Sequence, residues 1–389
     1  MRYAHSQPAT RNPQPATCNP QPATRNPITL VHPAASPSTD PAQIDATHLL
    51  ALVRAQFSPH ATSVRHLSGE RDLNFLVEVQ EAAQAAPARY VLKVSDSKEN
   101  PAALALQNAT LEHLAHHAPQ LPVQRIYPWQ SGAHLLALPG PDGDCYARML
   151  GYLPGLPLHE APASAAQRQS IGTALGALDR ALAGFDYPLV GNPALLWDIH
   201  RTPELQAWLP AIGDAQLRAW GEAVFDQYVQ NVQPLLPTLA QQYVHNDFNP
   251  YNLLVDPVDP RQVCGVLDFG DMVHGPRVFD AAVAMSYQGC EAGQPSLGNM
   301  FDFAQGYQAA NPLSRRELQL LPLLAAVRCA MTLCITEQRA LWFPGNRVYI
   351  LRNHAVASAG LRALMEPGLD AAADALLQHL HPAPQPKDL

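Results

Sequence analysis

The stretch YVHNDFNPYNLLVD, Tyr243 to Asp256, decides the fold. A short run of His, Asp and Asn is ordinarily a solvated turn. This one is bounded by apolar residues, Tyr-Val before it and Leu-Leu-Val after it. A loop pinned between two buried segments can aim its side chains. The pattern inside it is H-x-D-x-x-x-x-N, carried by His245, Asp247 and Asn252.

Two further features stand in register with that loop. Asp268-Phe269-Gly270 follows Asp247 by 21 residues, and Lys93 lies upstream in the strand-like run YVLKV. Phosphoryl transfer from a nucleotide needs these parts: a group that accepts the proton of the attacking hydroxyl, oxygen donors for Mg²⁺, and a cation on the phosphates. Asp247 suits the first role. Asn252 offers a neutral amide oxygen and Asp268 a charged one, the hard donors Mg²⁺ prefers. Each residue also has a plainer reading. Asp247 is then a turn aspartate, Asn252 a strand-entry cap and Lys93 a solvated strand lysine.

The surrounding chain reads as two kinds of structure. From Asp45, DATHLLALVRAQF has helical spacing, followed by strand-like SVRHLSG, NFLVEV and RYVLKV. Residues 101–117 read as a helix with Pro101 at its start, and 134–138 and 145–150 as strands flanking the turn signal PGPDGD. This gives an expected β-rich lobe over 43–150. GYLPGLPL, 151–158, is a Gly/Pro connector. Beyond it, helical patterns at 165–185, 203–240, 277–289, 298–309, 315–340 and 346–365 predict a larger helical lobe over 151–380. Two short strands, NLLVD and VCGVLDF, interrupt it. The fold class expected is α+β and bilobal, with ligands bound in the cleft.

The ends differ from this body. Residues 1–27 contain a seven-residue repeat, QPATRNP, QPATCNP, QPATRNP. Its prolines suit neither a helix nor a central strand, and almost nothing in it can be buried. Residues 1–42 are expected to be a disordered tail, and 381–389 a second tail. Net charge is −8, from 25 Lys+Arg against 33 Asp+Glu, which argues against nucleic acid or an anionic membrane as the main partner. The six Cys are scattered, with no CxxC pair, and read as free thiols in a reducing compartment. No signal-peptide order or membrane-length apolar run is evident, so a cytoplasmic protein is expected.

Together, the HNDFNPYN loop, the DFG run, the strand lysine and the lobe order resemble the protein-kinase-like fold of aminoglycoside phosphotransferases and choline kinases, over roughly residues 45–365. The resemblance implies that Asp247 is the catalytic aspartate, Asn252 and Asp268 hold Mg²⁺, and Lys93 meets the phosphates of ATP or GTP. It makes His245 a brace of the loop and Asp280, in GPRVFDAAVAM, a support from the following helix. It makes ARMLGYLPG the hinge, including Met149 and Gly151, whose backbone would hold the purine. Two departures stand out. The phosphate loop, LSGERDLN, has a single glycine, Gly69. The glutamate expected to pair with Lys93 is replaced by Gln107, with Glu112 as the alternative.

VLDFGDMVHGPRVFDAAVAMSY and VLKVSDSKENPAALALQNA are similar to hydroxylysine kinases. That likeness implies a small-molecule acceptor, an amino acid or amino alcohol with a free hydroxyl. 5-Hydroxylysine comes first, with homoserine, choline or ethanolamine, or an aminoglycoside as alternatives. Candidate acceptor residues are Asp271 and Glu337 for an ammonium group, and Arg328 among several arginines for a carboxylate. Arg328, Thr332 and Thr336 share a helix face by spacing. Asp271 reads equally as the cap of the segment after it. Two other classes remain: a nucleotide-binding pseudokinase, which predicts loss of one of the four central residues, and a metal-dependent hydrolase, which calls for more His or carboxylate ligands.

Overall fold

A computed structural model describes residues 46–67, 72–81, 86–95, 99–139, 143–188 and 195–381. The tail expected over 1–42, Gly69 and residues 382–389 lie outside these. Helix α1 (Ala46–Gln56) leads into a six-stranded antiparallel sheet among the described residues. Its strands are β1 (Ala61–Leu67), β2 (Leu73–Val79), β3 (Ala88–Val94), β4 (Ile126–Tyr127), β5 (Leu136–Leu138) and β6 (Cys145–Gly151), paired in the order β1-β2-β3-β6-β4 with β5 on β6. Alternation along the strands divides them. Phe75, Val77, Leu92, Val94, Ala147 and Met149 face a core with α1. Lys93 falls on the opposite face, directly across from Asn74 on β2 and Arg148 on β6. Helix α2 (Pro101–His117) is capped by Asn100, whose side chain accepts the Ala102 N–H, and Pro101 occupies the first turn.

After β7 (Leu156–Pro157) come α3 (Ala165–Leu182), the short α4 (Thr202–Leu205) and α5 (Ala215–Gln227). Four short strands then place the central loops. β8 (Gln241–Val244) pairs with β11 (Val273–Pro276), and β9 (Leu253–Val255) pairs with β10 (Val263–Val266). Residues 245–252 join β8 to β9, and residues 267–272 join β10 to β11, so the two loops emerge side by side. The apolar residues that bound the opening motif are the anchors: Val244, Leu253, Leu254 and Val255 are all buried.

Helices α6 (Arg277–Ser286), α7 (Leu297–Ala310), α8 (Arg315–Trp342), α9 (Arg347–Ile350), α10 (His354–Met365) and α11 (Leu369–Leu380) complete the described chain. Ser314 and Glu317 form a reciprocal capping box at the start of α8. This helix corrects the reading that no apolar run reaches membrane length. By length and composition α8 does, but 89% of its most apolar window is buried, with α5, α6, α10 and α11 packed on it. The helix expected over 346–365 is broken by a turn at Leu351–Asn353, which turns Arg352 and Asn353 to the cleft. Helix α11 was not expected. It starts after Gly368, whose φ of 89° turns the chain, and buries Ala372 and Leu376.

Candidate active site

The loops 245–252 and 267–272 open into a cleft of about 770 Å³ lined from both sides. Lys93 reaches it from β3, Asp247 and Asn252 from the first loop, Asp268 and Asp271 from the second, and Arg328 from α8.

The first loop is heavily over-determined. Asp280 on α6 accepts the N–H groups of His245 and Asn246, one on each carboxylate oxygen, both at 2.8 Å. The Asn246 side chain donates to the Asp271 carbonyl at 3.0 Å. These bonds hold Asn246 at φ 63°, a left-handed conformation that Asn tolerates better than most residues. The His245 ring is buried and takes the Asp247 N–H on Nδ1, which leaves Nε2 to donate to the Leu267 carbonyl at 3.0 Å. His245 therefore braces one loop against the other.

The Asp247 carboxylate is aimed by two amides. Asn249 Nδ2 donates to Oδ1 at 2.8 Å and Asn252 Nδ2 to Oδ2 at 2.7 Å. Burial and the nearby Asp271 push the Asp247 carboxyl up to about 7, against the opposing pull of Arg328 and the Asn249 bond. The Arg328 guanidinium lies 3.8 Å from Oδ1. Asp268 shows the reverse. Its carboxylate pairs with Lys93 at 3.3 Å and accepts the Gly270 N–H at 3.1 Å. Lys93 first, then that backbone bond, hold Asp268 down at about 2 despite partial burial. Asp268 too is left-handed, with φ 56°.

The partner of Lys93 is a correction. Neither Gln107 nor Glu112 takes that place. Lys93 pairs with Asp72 at 3.1 Å as well as with Asp268, and burial notwithstanding these two carboxylates hold its pKa above the ordinary lysine value. Gln107 instead accepts from Arg148 at 2.7 Å, with Asn108 at 3.4 Å, while Glu112 pairs with His134 at 2.8 Å. The reason is the cross-strand register. Arg148 sits opposite Lys93 on the same face and takes the Gln107 side chain, so α2 presents its acceptor to Arg148 and not to Lys93. Asp72 reaches both, lying 3.7 Å from Arg148. A sequence signal for Asp72 existed: it lies just ahead of β2, two residues before Asn74, which is the cross-strand neighbour of Lys93.

Three more placements need correcting. Met149 has its side chain in the core and its backbone between β3 and β4, paired with Leu92 and Tyr127, and it does not line the cleft. Gly151 has its N–H on the Arg125 carbonyl and its own carbonyl on Gln124 Nε2, so the chain lining the cleft is the next segment, with Tyr152, Leu153 and Gly155. Glu337 does not line the cleft; it pairs with His354 at 2.8 Å. Arg328 does line it, its guanidinium over the Trp197 ring, as do Thr336, Arg339 and Arg352. Thr332 and Thr336 spend their hydroxyls on carbonyls of their own helix. Asp271 is buried at the cleft wall, and the segment after it is the strand β11, so no helix start awaits a cap there.

Residues 63–321 match the phosphotransferase enzyme family, and the chain belongs to that family. It is a small-molecule kinase, a phosphotransferase with an alcohol group as acceptor. Among curated proteins it is similar to the hydroxylysine kinase of Mus musculus, 28% identical over 338 residues that span 82% of this chain and 88% of the relative. Among solved structures it is similar to a microcompartment-associated aminopropanol kinase (TM-score 0.64, 20% identity, 85% of this chain and 99% of that one). It is also similar to a spectinomycin phosphotransferase solved with ADP and spectinomycin (TM-score 0.55, 13% identity, 86% and 99%). At those identities the structural likeness establishes the protein-kinase-like fold.

Proposed function

We propose that this kinase transfers the γ-phosphate of ATP or GTP to the hydroxyl of an amino-acid-like acceptor, with 5-hydroxylysine the first choice. The observation that carries the reading is the opposed state of two neighbouring aspartates. Asp247 sits at about 7, poised to take a proton, while Asp268 at about 2 stays anionic beside Lys93.

The donor set fits Mg²⁺. Asn252 spends its amide nitrogen on Asp247, which leaves its oxygen for a metal, and Asp268 supplies the charged ligand. Among the described residues no three His, Cys, Asp or Glu side chains gather as a metal site, which weighs against the hydrolase alternative. When bound, the ion neutralises charge on the transferring phosphates. Lys93 is placed to exchange its bonds to Asp72 and Asp268 for phosphate oxygens. Asp247 accepts the acceptor's hydroxyl proton as that oxygen bonds to phosphorus. The bond to the leaving nucleoside diphosphate breaks on the opposite side.

Beside the residues assigned to proton transfer and metal, the cleft lining carries the Asp271 carboxylate and the guanidiniums of Arg328, Arg339 and Arg352. Opposite charges lining one cleft suit a zwitterion, with Asp271 on the ammonium and a guanidinium on the carboxylate. The likeness to hydroxylysine kinase points the same way. The test is ³¹P detection of a new phosphomonoester with ATP or GTP across 5-hydroxylysine, homoserine, ethanolamine, choline and an aminoglycoside. Highest kcat/KM on 5-hydroxylysine is expected. Preference for a substrate without a carboxylate would overturn the acceptor assignment.

A further inference from the structure

Behind the catalytic loop lies a second buried acid that the reaction above does not use. Asp179 is on α3, fully buried, and its carboxyl is in hydrogen-bonding contact with that of Asp280. Its Oδ2 accepts the Tyr307 hydroxyl at 2.6 Å, while its Oδ1 is buried and meets no donor. Asp280 is the opposite case, with a backbone N–H on each oxygen. Two carboxylates in contact and out of water cannot both hold a charge. The charge belongs where the donors are, on Asp280.

The other polar groups around the pair do not change this. Tyr307 faces it from α7 and His245 from the loop, and Arg277, at the start of α6, acts on it from a distance. The Arg277 guanidinium is spent on Glu317, Asn311 and the Pro312 carbonyl. The backbones of α3 and α7 meet closely: a Cβ on Gly172 would lie 2.0 Å from the Phe303 carbonyl oxygen, and one on Gly306 1.9 Å from that of Gln169. That crossing fixes Asp179 against Tyr307.

We infer that Asp179 carries a proton on Oδ1 and donates it to Asp280, which makes Asp179 a positioning residue for the loop that bears Asp247. Burial, followed by the charge of Asp280, pushes the Asp179 carboxyl well above the usual aspartate range, in keeping with this arrangement. The donated bond gives Asp280 a third hydrogen bond and ties the α3–α7 pair to the backbone of His245 and Asn246. The positioning role rests on the proposed catalytic role of residues 245–252; the protonation does not.

The two claims are tested separately. An acid whose native pKa lies above its unfolded value holds an extra proton in the fold. Its stabilising share is complete below the unfolded value and is lost as pH rises through the native one. Asparagine at 179 keeps an N–H donor and cannot ionise. The melting temperature of Asp179→Asn minus that of the wild type is therefore expected to grow as pH rises from about 5 to about 8. A difference that stays flat or shrinks overturns the protonated state. In the second arm, Asp179→Ala is expected to lose about tenfold or more in kcat, with nucleotide KM unchanged, because the loop loses its backing. Asp179→Asn is expected to restore most of that loss. A loss in Asp179→Asn as large as in Asp179→Ala, or, should the alanine variant not fold, a loss of tenfold or more in Asp179→Asn alone, overturns the positioning role.

Discussion

The loops 245–252 and 267–272 leave adjacent strand pairs, and each presents one aspartate to the same cleft, yet they hold those aspartates in opposite states. Asp247 receives only neutral amides at hydrogen-bond distance, with its nearest guanidinium 3.8 Å away. Asp268 receives an ammonium at 3.3 Å. One carboxyl rises to about 7 and the other falls to about 2. Sequence context cannot produce that difference, because each is an Asp in a short polar loop. Burial and Asp271 push Asp247 up while Lys93, brought by β3, holds Asp268 down, which suits the proposed division between a proton acceptor and a permanent anion.

The largest expected effect comes from removing the proton acceptor. Asp247→Asn should lower kcat by roughly 10³-fold or more, since proton acceptance and hydroxyl positioning vanish together. Calorimetry should find nucleotide binding retained; turnover near wild type would break the comparison from the Asp247 side. Next come Asp268→Ala and Lys93→Ala. Both should impair nucleotide use, but raised Mg²⁺ should partly restore only Asp268→Ala, with Asn252 still in place. If the two variants respond alike to a Mg²⁺ titration, the assigned roles are wrong.

The pH profile sharpens the comparison. Asp247 must be ionised to accept a proton, so kcat/KM of the free enzyme should rise with pH through about 7. Asp271 raises the Asp247 pKa and Arg328 lowers it. Asp271→Asn should therefore move the acid limb to lower pH, and Arg328→Met should move it to higher pH. Limbs that do not move, or move the other way, would show that another group titrates. The smallest effect is expected from Asp72→Asn. Lys93 keeps Asp268, so nucleotide KM should change only a few-fold.

Much of this was legible beforehand, and for a physical reason. The strands β1 to β3, helix α2 and the β9–β10 pair announce themselves through local periodicity, caps and turn residues, while β8 and β11 do not. His245, Asp247, Asn252 and Asp268 lie within one local pattern, so their grouping needed no long-range contact. What sequence reasoning missed depends on register. Asp72 becomes the partner of Lys93 only once β2 is laid against β3, and Gln107 turns to Arg148 only because β6 puts Arg148 opposite Lys93. Met149 and Gly151 fell one step short of the cleft because β6 stays hydrogen-bonded through Gly151. Glu337 needed the turn at Leu351–Asn353, invisible in a helical pattern, to bring His354 against it.

The division of labour between the two aspartates is tested most directly by electron paramagnetic resonance of Mn²⁺ bound with a non-hydrolysable nucleotide. Spectra of the wild type, Asp247→Asn and Asp268→Asn are compared at equal nucleotide occupancy. Asp268→Asn is expected to change the Mn²⁺ signal and weaken metal binding, while Asp247→Asn leaves the signal as in the wild type. An unchanged signal in Asp268→Asn, or a lost one in Asp247→Asn, would contradict the account.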